Sequence, residues 1–242
     1  MLSEQRAGRI ITQSENITKN PTEMYRETDR EMRKTVARII TVSRQFGSGG
    51  RELGKRLSDL LGWDYYDREI IQMLSERGLD PDYVHRVLSG HGWHQYQLTY
   101  RNSFHQPAGA AWRHTEVLVR QREIIREIAA EGNDCVIVGR DADVILHDES
   151  PFRIYVCADI ESRLARCTRF EEKKEPSARL TEKEILRNIR RIDRNRRQTR
   201  EILTGRSAAD GSTFDLTVNA TNWDIKKLAE AVAEFSARWF ER

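Results

Sequence analysis

The stretch RIITVSRQFGSGGRELGKRL, residues 38–57, decides the fold class of this chain. Its first six residues form a β-branched run that is typical of a buried strand, and the run leads into the glycine-rich segment Gly47–Gly50. Leu53 and Leu57 then recur at helical spacing, and Gly62 follows as a helix C-terminal signal. A strand that feeds a glycine-rich loop and then a helix is the usual setting of a phosphate-binding site.

Strands and helices alternate along the rest of the chain. The further predicted strands are Trp63–Tyr66, Cys135–Gly139, Phe152–Cys157 and Thr213–Asn219. Five strands alternating with helices predict an α/β fold with a mostly parallel, doubly wound sheet. Ligands on such sheets bind beyond the carboxyl ends of the strands. That edge is expected to carry Gly47–Arg51, Asp67 and Gly139–Asp141.

At 242 residues the chain fits one α/β domain with additions. We expect a polar N-terminal arm over residues 1–36 and a domain over residues 37–242. Residues 79–114 interrupt the alternation with glycines, Pro107, aromatic residues and five histidines, which indicates an insertion. Residues 166–206 contain two helices and a charged connection, and they are interpreted as a lid. The arm or the insertion could support a homo-oligomer.

Composition favours a soluble protein that binds an anion. Charged residues make up 33% of the chain, the formal net charge is +3, and no apolar run approaches the length of a membrane helix. The N-terminus lacks the apolar core of a secretion signal, so a cytoplasmic location is expected. Three cysteines cannot all pair and are interpreted as reduced packing residues. The segment His91-Gly92-Trp93-His94 lacks a third ligand at suitable spacing, so we predict no metal site in it.

The glycine-rich loop can be aligned with a phosphate cradle in two registers. Residues 49–55 match G-x-x-x-x-G-K, but Arg56 then stands where a hydroxyl residue belongs, and Lys55 would lie inside the helix. We therefore interpret that match as accidental and Lys55 as a solvated helix residue. The second register forms the cradle from Gly47, Ser48, Gly49, Gly50, Arg51 and Glu52. Arg51 then supplies the phosphate cation, and the alternative is a tight turn without a ligand.

Several ordered motifs together resemble the cytidylate-kinase-like proteins. They are SRQFGSGGREL at residues 43–53, YYDRE at 65–69, VGRDAD at 138–143 and IDRNR at 192–196. The resemblance implies a P-loop NTPase core of the adenylate-kinase-like kind, with ATP and Mg²⁺ on the donor side. It further implies a nucleoside monophosphate, CMP or dCMP, as acceptor. In the fourth motif, an Asp and an Arg are expected to flank the phosphates.

Phosphoryl transfer depends on positioning and charge neutralisation, and the sequence offers residues for both. The predicted catalytic residues are Arg51, Arg140, Asp141 and Arg196. The predicted substrate-binding residues are Asp67, Arg140, Asp141 and Asp193. Two alternatives stay open: Asp67 could be a helix N-cap, and Arg140 with Asp141 could form a strand-end salt bridge.

Three functions compete at this point. The first is a kinase that phosphorylates a nucleotide or a similar small anion. The second is a nucleotide-binding regulatory protein that has lost turnover, because the better register lacks the usual loop lysine and hydroxyl. The third is a nucleic-acid binder that uses the basic helix from Thr181 to Leu203, within the region Ile160–Arg206, which holds 15 Lys or Arg against 8 Asp or Glu. No nucleic-acid recognition motif accompanies that region, so we expect no nucleic-acid partner.

Overall fold

The computed structural model describes residues 37–88, 108–204 and 213–242. Its five strands are β1 (Ile39–Arg44), β2 (Asp64–Tyr66), β3 (Cys135–Val138), β4 (Phe152–Cys157) and β5 (Leu216–Asn219). Its helices are α1 (Gly50–Leu61), α2 (Glu69–Glu76), α3 (Pro81–Leu88), α4 (Ala108–Ala130), α5 (Ala142–Ile145), α6 (Ile160–Glu171), α7 (Glu182–Thr204) and α8 (Ile225–Phe240).

The strands form one parallel sheet in the order β2-β3-β1-β4-β5. The predicted fold class is therefore confirmed. Strand β1 lies in the centre, since it pairs with β3 on one side and β4 on the other. The chain reaches β2 and β3 on one side of β1 before it crosses to β4, so the loop after β1 lies where the direction of winding reverses. Parallel sheets bind their ligands at such a switch point.

The hydrophobic core lies between the sheet and the helices α1 and α8. Strands β1, β3 and β4 are lined by fully buried side chains such as Ile40, Val136 and Ile154, as expected for a sheet covered on both faces. Phe152 is the largest of the fully buried side chains, and its ring lies 4.8 Å from that of Trp239 on α8. This packing fixes β1 and α1, and with them the loop that connects the two.

Some boundaries differ from the sequence prediction. Helix α4 begins at Ala108, within the predicted insertion, and β5 begins at Leu216, three residues later than expected. The side chain of Phe235 on α8 is 47% exposed, although its ring stacks on that of Phe152. The N-terminal arm, the histidine segment at residues 91–94 and any oligomer contact through them lie outside the described residues.

Two findings bear on the remaining composition arguments. In the described parts of the chain, no helix has the length and apolarity needed to cross a membrane. The three cysteines are free, and burial raises the pKa of the Cys135 thiol to about 12. At neutral pH this thiol is protonated and acts as a packing residue.

Candidate functional site

The loop between β1 and α1, residues 45–49, is called the glycine loop. Gly47 and Gly49 have φ values of 78° and 89°, a left-handed conformation that a side chain would strain. A Cβ at Gly49 would also lie 2.5 Å from the Ile225 side chain, so the loop packs closely on α8. No side chain caps α1 at Gly49. Because the first N–H groups of a helix have no intrahelical partner, this end of α1 is available to an anion.

Helices α6 and α7 hold the backbone of the glycine loop from outside. The N–H of Phe46 donates to Asp193 Oδ1 at 2.7 Å, and the Phe46 carbonyl accepts from Arg163 Nε at 2.7 Å. Arg163 and Asp193 also form an ion pair with each other. Arg196 Nη1 donates to the carbonyl of Arg44 at 2.9 Å. We call the set of Phe46, Arg163 and Asp193 the loop clamp, because it fixes both polar groups of one loop residue.

Arg44, the last residue of β1, extends its side chain across the carboxyl edge of the sheet. A Cβ placed on Gly50 would lie 2.6 Å from Arg44 Cβ, and one placed on Gly139 would lie 1.3 Å from Arg44 Nη1. Glycines at both positions therefore make room for this arginine. Burial lowers the pKa of the Arg44 guanidinium, an effect that the nearby carboxylate of Asp67 opposes.

Asp67 is buried at the end of β2, with 3% of its side chain exposed. Its Oδ2 lies 2.5 Å from Arg51 Nε, whereas its Oδ1 lies 3.7 Å from Arg44 Nη2 and has no hydrogen-bond partner. The residue before α2 is Arg68, and it makes no side-chain cap. The alternative that Asp67 is only a helix N-cap is therefore wrong, and its carboxylate faces two arginines.

The segment after β3 is strained. Gly139, Arg140 and Asp141 have φ values of 72°, 62° and 53°, so three consecutive residues are left-handed. This conformation costs free energy in residues other than glycine, and such strained residues are common at functional sites. Neither Arg140 nor Asp141 has an ion-pair partner within 4.0 Å among the described residues, and Arg140 Nε is buried without a hydrogen bond. The alternative of a strand-end salt bridge is therefore not formed.

Four arginines converge at this edge: Arg44, Arg51, Arg140 and Arg196, here called the arginine cluster. Burial, followed by the positive charge of Arg44, lowers the pKa of Arg140 to about 10 and that of Arg196 to about 9. Burial and the negative charge of Asp143 raise the pKa of Asp141 to about 6. Burial thus disfavours the charged forms of Arg140, Arg196 and Asp141. The described residues do not supply enough opposite charge to offset this effect.

Arg166 also approaches the glycine loop from α6, one turn beyond Arg163. Arg166 Nη2 donates to the carbonyl of Ala220 at 2.5 Å, and its Nε would lie 3.8 Å from a Cβ on Gly49. Its Nη1 is buried and has no hydrogen-bond partner. Arg166 therefore places an unused donor beside the uncapped end of α1.

The structure brings most of the predicted site residues together and gives a few of them other contacts. The Ser48 hydroxyl is fully buried and donates to the Gln45 carbonyl at 3.0 Å. Glu52 accepts a hydrogen bond from Arg56 on the exposed side of α1. Asp193 belongs to the loop clamp. Lys55 is exposed and bonds to Asp59, as expected for a solvated helix residue.

Sequence reasoning missed the residues that support the site. Arg44 stands before the loop, where no phosphate motif places a cation, and Arg163 lies in an unremarkable helical pattern. Asp143 is buried, accepts from Ser43 Oγ at 3.2 Å and from Arg200 Nη1 at 2.6 Å, and so ties β1 to α7. Two sequence signals could have identified Arg44 and Asp143. Arg44 ends the central strand, and Asp143 follows a buried strand.

The sequence of this chain matches a known protein family. The model of the cytidylate kinase-like family matches residues 39–222, which include the glycine loop, the strained segment and both clamp helices. The chain belongs to the cytidylate kinase-like family.

The individual proteins that resemble this chain share limited sequence identity with it. A cytidylate kinase from Salinibacter ruber is 33% identical over 98 residues, which is 40% of this chain and 42% of that protein. An uncharacterised protein from Eubacterium ventriosum has a similar structure, with a TM-score of 0.59, 19% identity and coverage of 83% of this chain and 98% of that one. A shikimate kinase from Bacteroides thetaiotaomicron matches at a TM-score of 0.47, 15% identity, 82% of this chain and 97% of that one. At 19% identity, the structural match to the Eubacterium ventriosum protein shows the fold alone.

Proposed function

We propose that this protein is an ATP-dependent phosphotransferase that acts on a nucleoside monophosphate, converting ATP and CMP or dCMP to ADP and CDP or dCDP. The bond between the terminal phosphorus of ATP and its bridging oxygen breaks, and a bond to an oxygen of the acceptor phosphate forms. Membership of the cytidylate kinase-like family supports the reaction class. The Salinibacter ruber relative is named a cytidylate kinase, which supports the choice of acceptor.

The observation that carries the proposal is the charge balance at the carboxyl edge of the sheet. The arginine cluster and Arg163 carry five guanidinium groups against the three carboxylates of Asp67, Asp141 and Asp193, and burial disfavours the charges of Arg44, Arg140, Arg196 and Asp141. Two positive charges are left over, and the uncapped end of α1 adds backbone N–H groups. Phosphate groups supply the missing negative charge and accept hydrogen bonds from guanidinium forks.

The roles follow from position. The N–H groups of the glycine loop and the first turn of α1, with Arg51 nearby, bind the phosphates of ATP. Arg140 binds the acceptor phosphate, since its buried Nε has no partner of its own. Arg196 stabilises charge between the two nucleotides, and Asp67 and Asp141 orient the acceptor. Helices α6 and α7 serve as the lid, whose base is tied to the loop by Asp193.

Mg²⁺ is expected to arrive with ATP, and the residues fit it only in part. The Ser48 hydroxyl and the Glu52 carboxylate are engaged elsewhere, and no group of three potential metal ligands occurs among the described residues. Asp67 is already paired with Arg51. Asp141 is therefore the residue that would hold the ion, in keeping with the preference of Mg²⁺ for phosphates plus one or two carboxylates. The ion would supply further neutralisation of phosphate charge.

A second candidate is a nucleotide-binding regulatory protein without turnover. The observation that favours it is the engagement of the Ser48 hydroxyl by the Gln45 carbonyl, which leaves the loop without a free hydroxyl. The missing loop lysine points the same way. Such a protein would use the same arginine cluster to bind ATP.

The experiment that tests the proposal measures ADP release from ATP and Mg²⁺ with a panel of nucleoside monophosphates that includes CMP and dCMP. We expect acceptor-dependent release that falls by about 10²-fold or more in Arg140→Ala and in Asp141→Ala. Arg126→Ala, on the exposed face of α4, is the matched control and should keep full activity. Binding of ATP without release on any acceptor would contradict the kinase proposal and support the regulatory one.

A further inference from the structure

Arg44, with 12% of its side chain exposed, is the member of the arginine cluster to which the proposed function assigns no individual role. It ends the central strand, and its side chain passes between Gly50 at the start of α1 and Gly139 at the end of β3. Both neighbours must be glycines for this path to exist. A side chain that requires open space in two separate segments is a built feature of the site.

The head of Arg44 has no satisfied hydrogen bond in the described parts of the chain. The only carboxylate within 4.0 Å among the described residues is Asp67, whose Oδ1 lies 3.7 Å away, too far for a hydrogen bond. That oxygen is itself buried and without a partner. The guanidinium of Arg44, whose side chain is 12% exposed, and this buried carboxylate oxygen thus lie near each other without forming a hydrogen bond. An anionic ligand could accept hydrogen bonds from the guanidinium of Arg44, whereas the carboxylate oxygen of Asp67 is itself an acceptor and gains nothing from such a ligand.

The location of Arg44 defines which part of a ligand it would meet. Its stem lies against the first residue of α1, where the proposed function puts the ATP phosphates, and its head lies against Gly139 and Asp67, where it puts the acceptor. The group that lies between donor and acceptor in a phosphoryl transfer is the phosphoryl group itself. The terminal phosphoryl of ATP is therefore the chemical group that fits this position.

We infer that Arg44 is a catalytic residue that binds the terminal phosphoryl group of the nucleoside triphosphate, in place of the lysine that the glycine loop lacks. The inference rests on the proposed function, because it presumes a nucleoside triphosphate in the glycine loop. It assigns to Arg44 a role that the sequence motif gives to Arg51, whose side chain is half exposed and already paired with Asp67.

The consequence is a specific preference for ATP over ADP. ADP lacks the group that Arg44 binds, so removal of Arg44 should weaken ATP binding and leave ADP binding nearly unchanged. A hydrogen-bonded contact to a charged group corresponds to a loss of about 10- to 100-fold in ATP affinity. Turnover, where present, should fall further than ATP affinity, because charge on the phosphoryl oxygens changes during transfer.

The test measures the dissociation constants of ATP and ADP by calorimetry for the wild type, Arg44→Gln and the control Arg126→Gln. We expect the ATP preference to be lost in Arg44→Gln and kept in the control. Equal weakening of ATP and ADP, or an unchanged preference, would overturn the assignment of Arg44. If the wild type binds neither nucleotide, the proposed function fails as well, so the two failures are distinguishable.

A second variant guards against misfolding of Arg44→Gln. Gly139→Ala keeps the arginine but places a Cβ on its Nη1, so it should displace the head and also abolish the ATP preference. Gly132→Ala is its matched control, since Gly132 has a similar φ of 77° but no atom within 4 Å of the added Cβ. Retention of the ATP preference in Gly139→Ala would count against the inference.

Discussion

At the residue scale, the buried carboxylate of Asp141 lowers the free energy of unfolding at neutral pH. Its backbone is left-handed at φ 53°, and burial raises the pKa of its carboxyl group from 3.8 to about 6. The folded protein thus binds the Asp141 proton more tightly than the unfolded chain does. This contribution to stability is fully present below about pH 4 and is lost as the pH rises through about 6.

We therefore predict that Asp141→Asn stabilises the ligand-free protein at pH 8. Asparagine has no proton to lose and tolerates a left-handed backbone well. The gain in free energy of unfolding should reach about 3 kcal/mol at pH 8 and shrink toward pH 4.5. Urea unfolding at the two pH values measures it, and an equal effect at both would show that the buried charge is not the cause.

Residue roles were predictable from sequence only where a motif points at them. The positions of Asp67, Arg140 and Asp141 at one edge followed from strand ends, whereas Arg196 was proposed only through the family resemblance of its motif. Arg44 was not predicted, because its role depends on the empty space above Gly139, and no local pattern encodes a distance between two segments 95 positions apart. The engagement of the Ser48 hydroxyl by its own loop was equally invisible.

At the element scale, the order and type of the strands followed from apolar runs, and the sheet order did not. Strand β3 is a continuous apolar segment that ends before Gly139, and β4 is an alternating one that ends before Asp159. Asp159 caps α6, since its Oδ1 accepts from the Ser162 N–H at 2.7 Å. The predicted insertion extended to residue 114, whereas α4 begins at Ala108, because Gly109 weakens the helical signal near that start. The attachment of α6 and α7 to the glycine loop depends on tertiary contacts that periodicity does not reveal.

Because the loop clamp joins Arg163 on α6 to Asp193 on α7, we expect a measurable coupling free energy between these two residues. Asp193→Asn keeps an oxygen for the Phe46 N–H but leaves Arg163, which is buried, without its charge partner. Breaking a buried ion pair costs about 3 kcal/mol or more, and we expect a loss of that size in the free energy of unfolding. A double-mutant cycle with Arg163→Gln measures the coupling energy.

The matched control for this cycle is Asp59→Asn, which breaks the exposed pair between Asp59 and Lys55 on α1. Such exposed pairs contribute about 0.5 kcal/mol or less, so stability should hardly change. If Asp193→Asn is as mild as the control, the clamp does not hold the loop, and Asp193 is again free to be interpreted as a substrate ligand.

At the scale of the whole molecule, the site behaves as a region of uncompensated positive charge inside a nearly neutral protein. The formal net charge is only +3, yet the arginine cluster places four cations at one sheet edge. Any small polyanion that satisfies these groups should bind the folded state and not the unfolded one. Stability should then depend on the identity of the anion in solution, not only on ionic strength.

We predict that inorganic pyrophosphate raises the melting temperature by about 5 °C or more at a concentration near 100 times its dissociation constant. Differential scanning calorimetry at constant ionic strength, with chloride as the comparison salt, measures the shift. Arg140→Gln should reduce it, whereas Arg126→Gln should not. An equal shift with chloride would indicate general screening and no specific anion site.

The passage of Arg44 over Gly139 also constrains how this sequence can change over time. While the arginine is present, even asparagine, which accepts a left-handed backbone, has no room at position 139. Once Arg44 has been replaced by a small residue, the collision is gone and asparagine becomes acceptable there. The two substitutions can therefore accumulate in one order only, and a lineage that has filled position 139 cannot regain Arg44 by a single step.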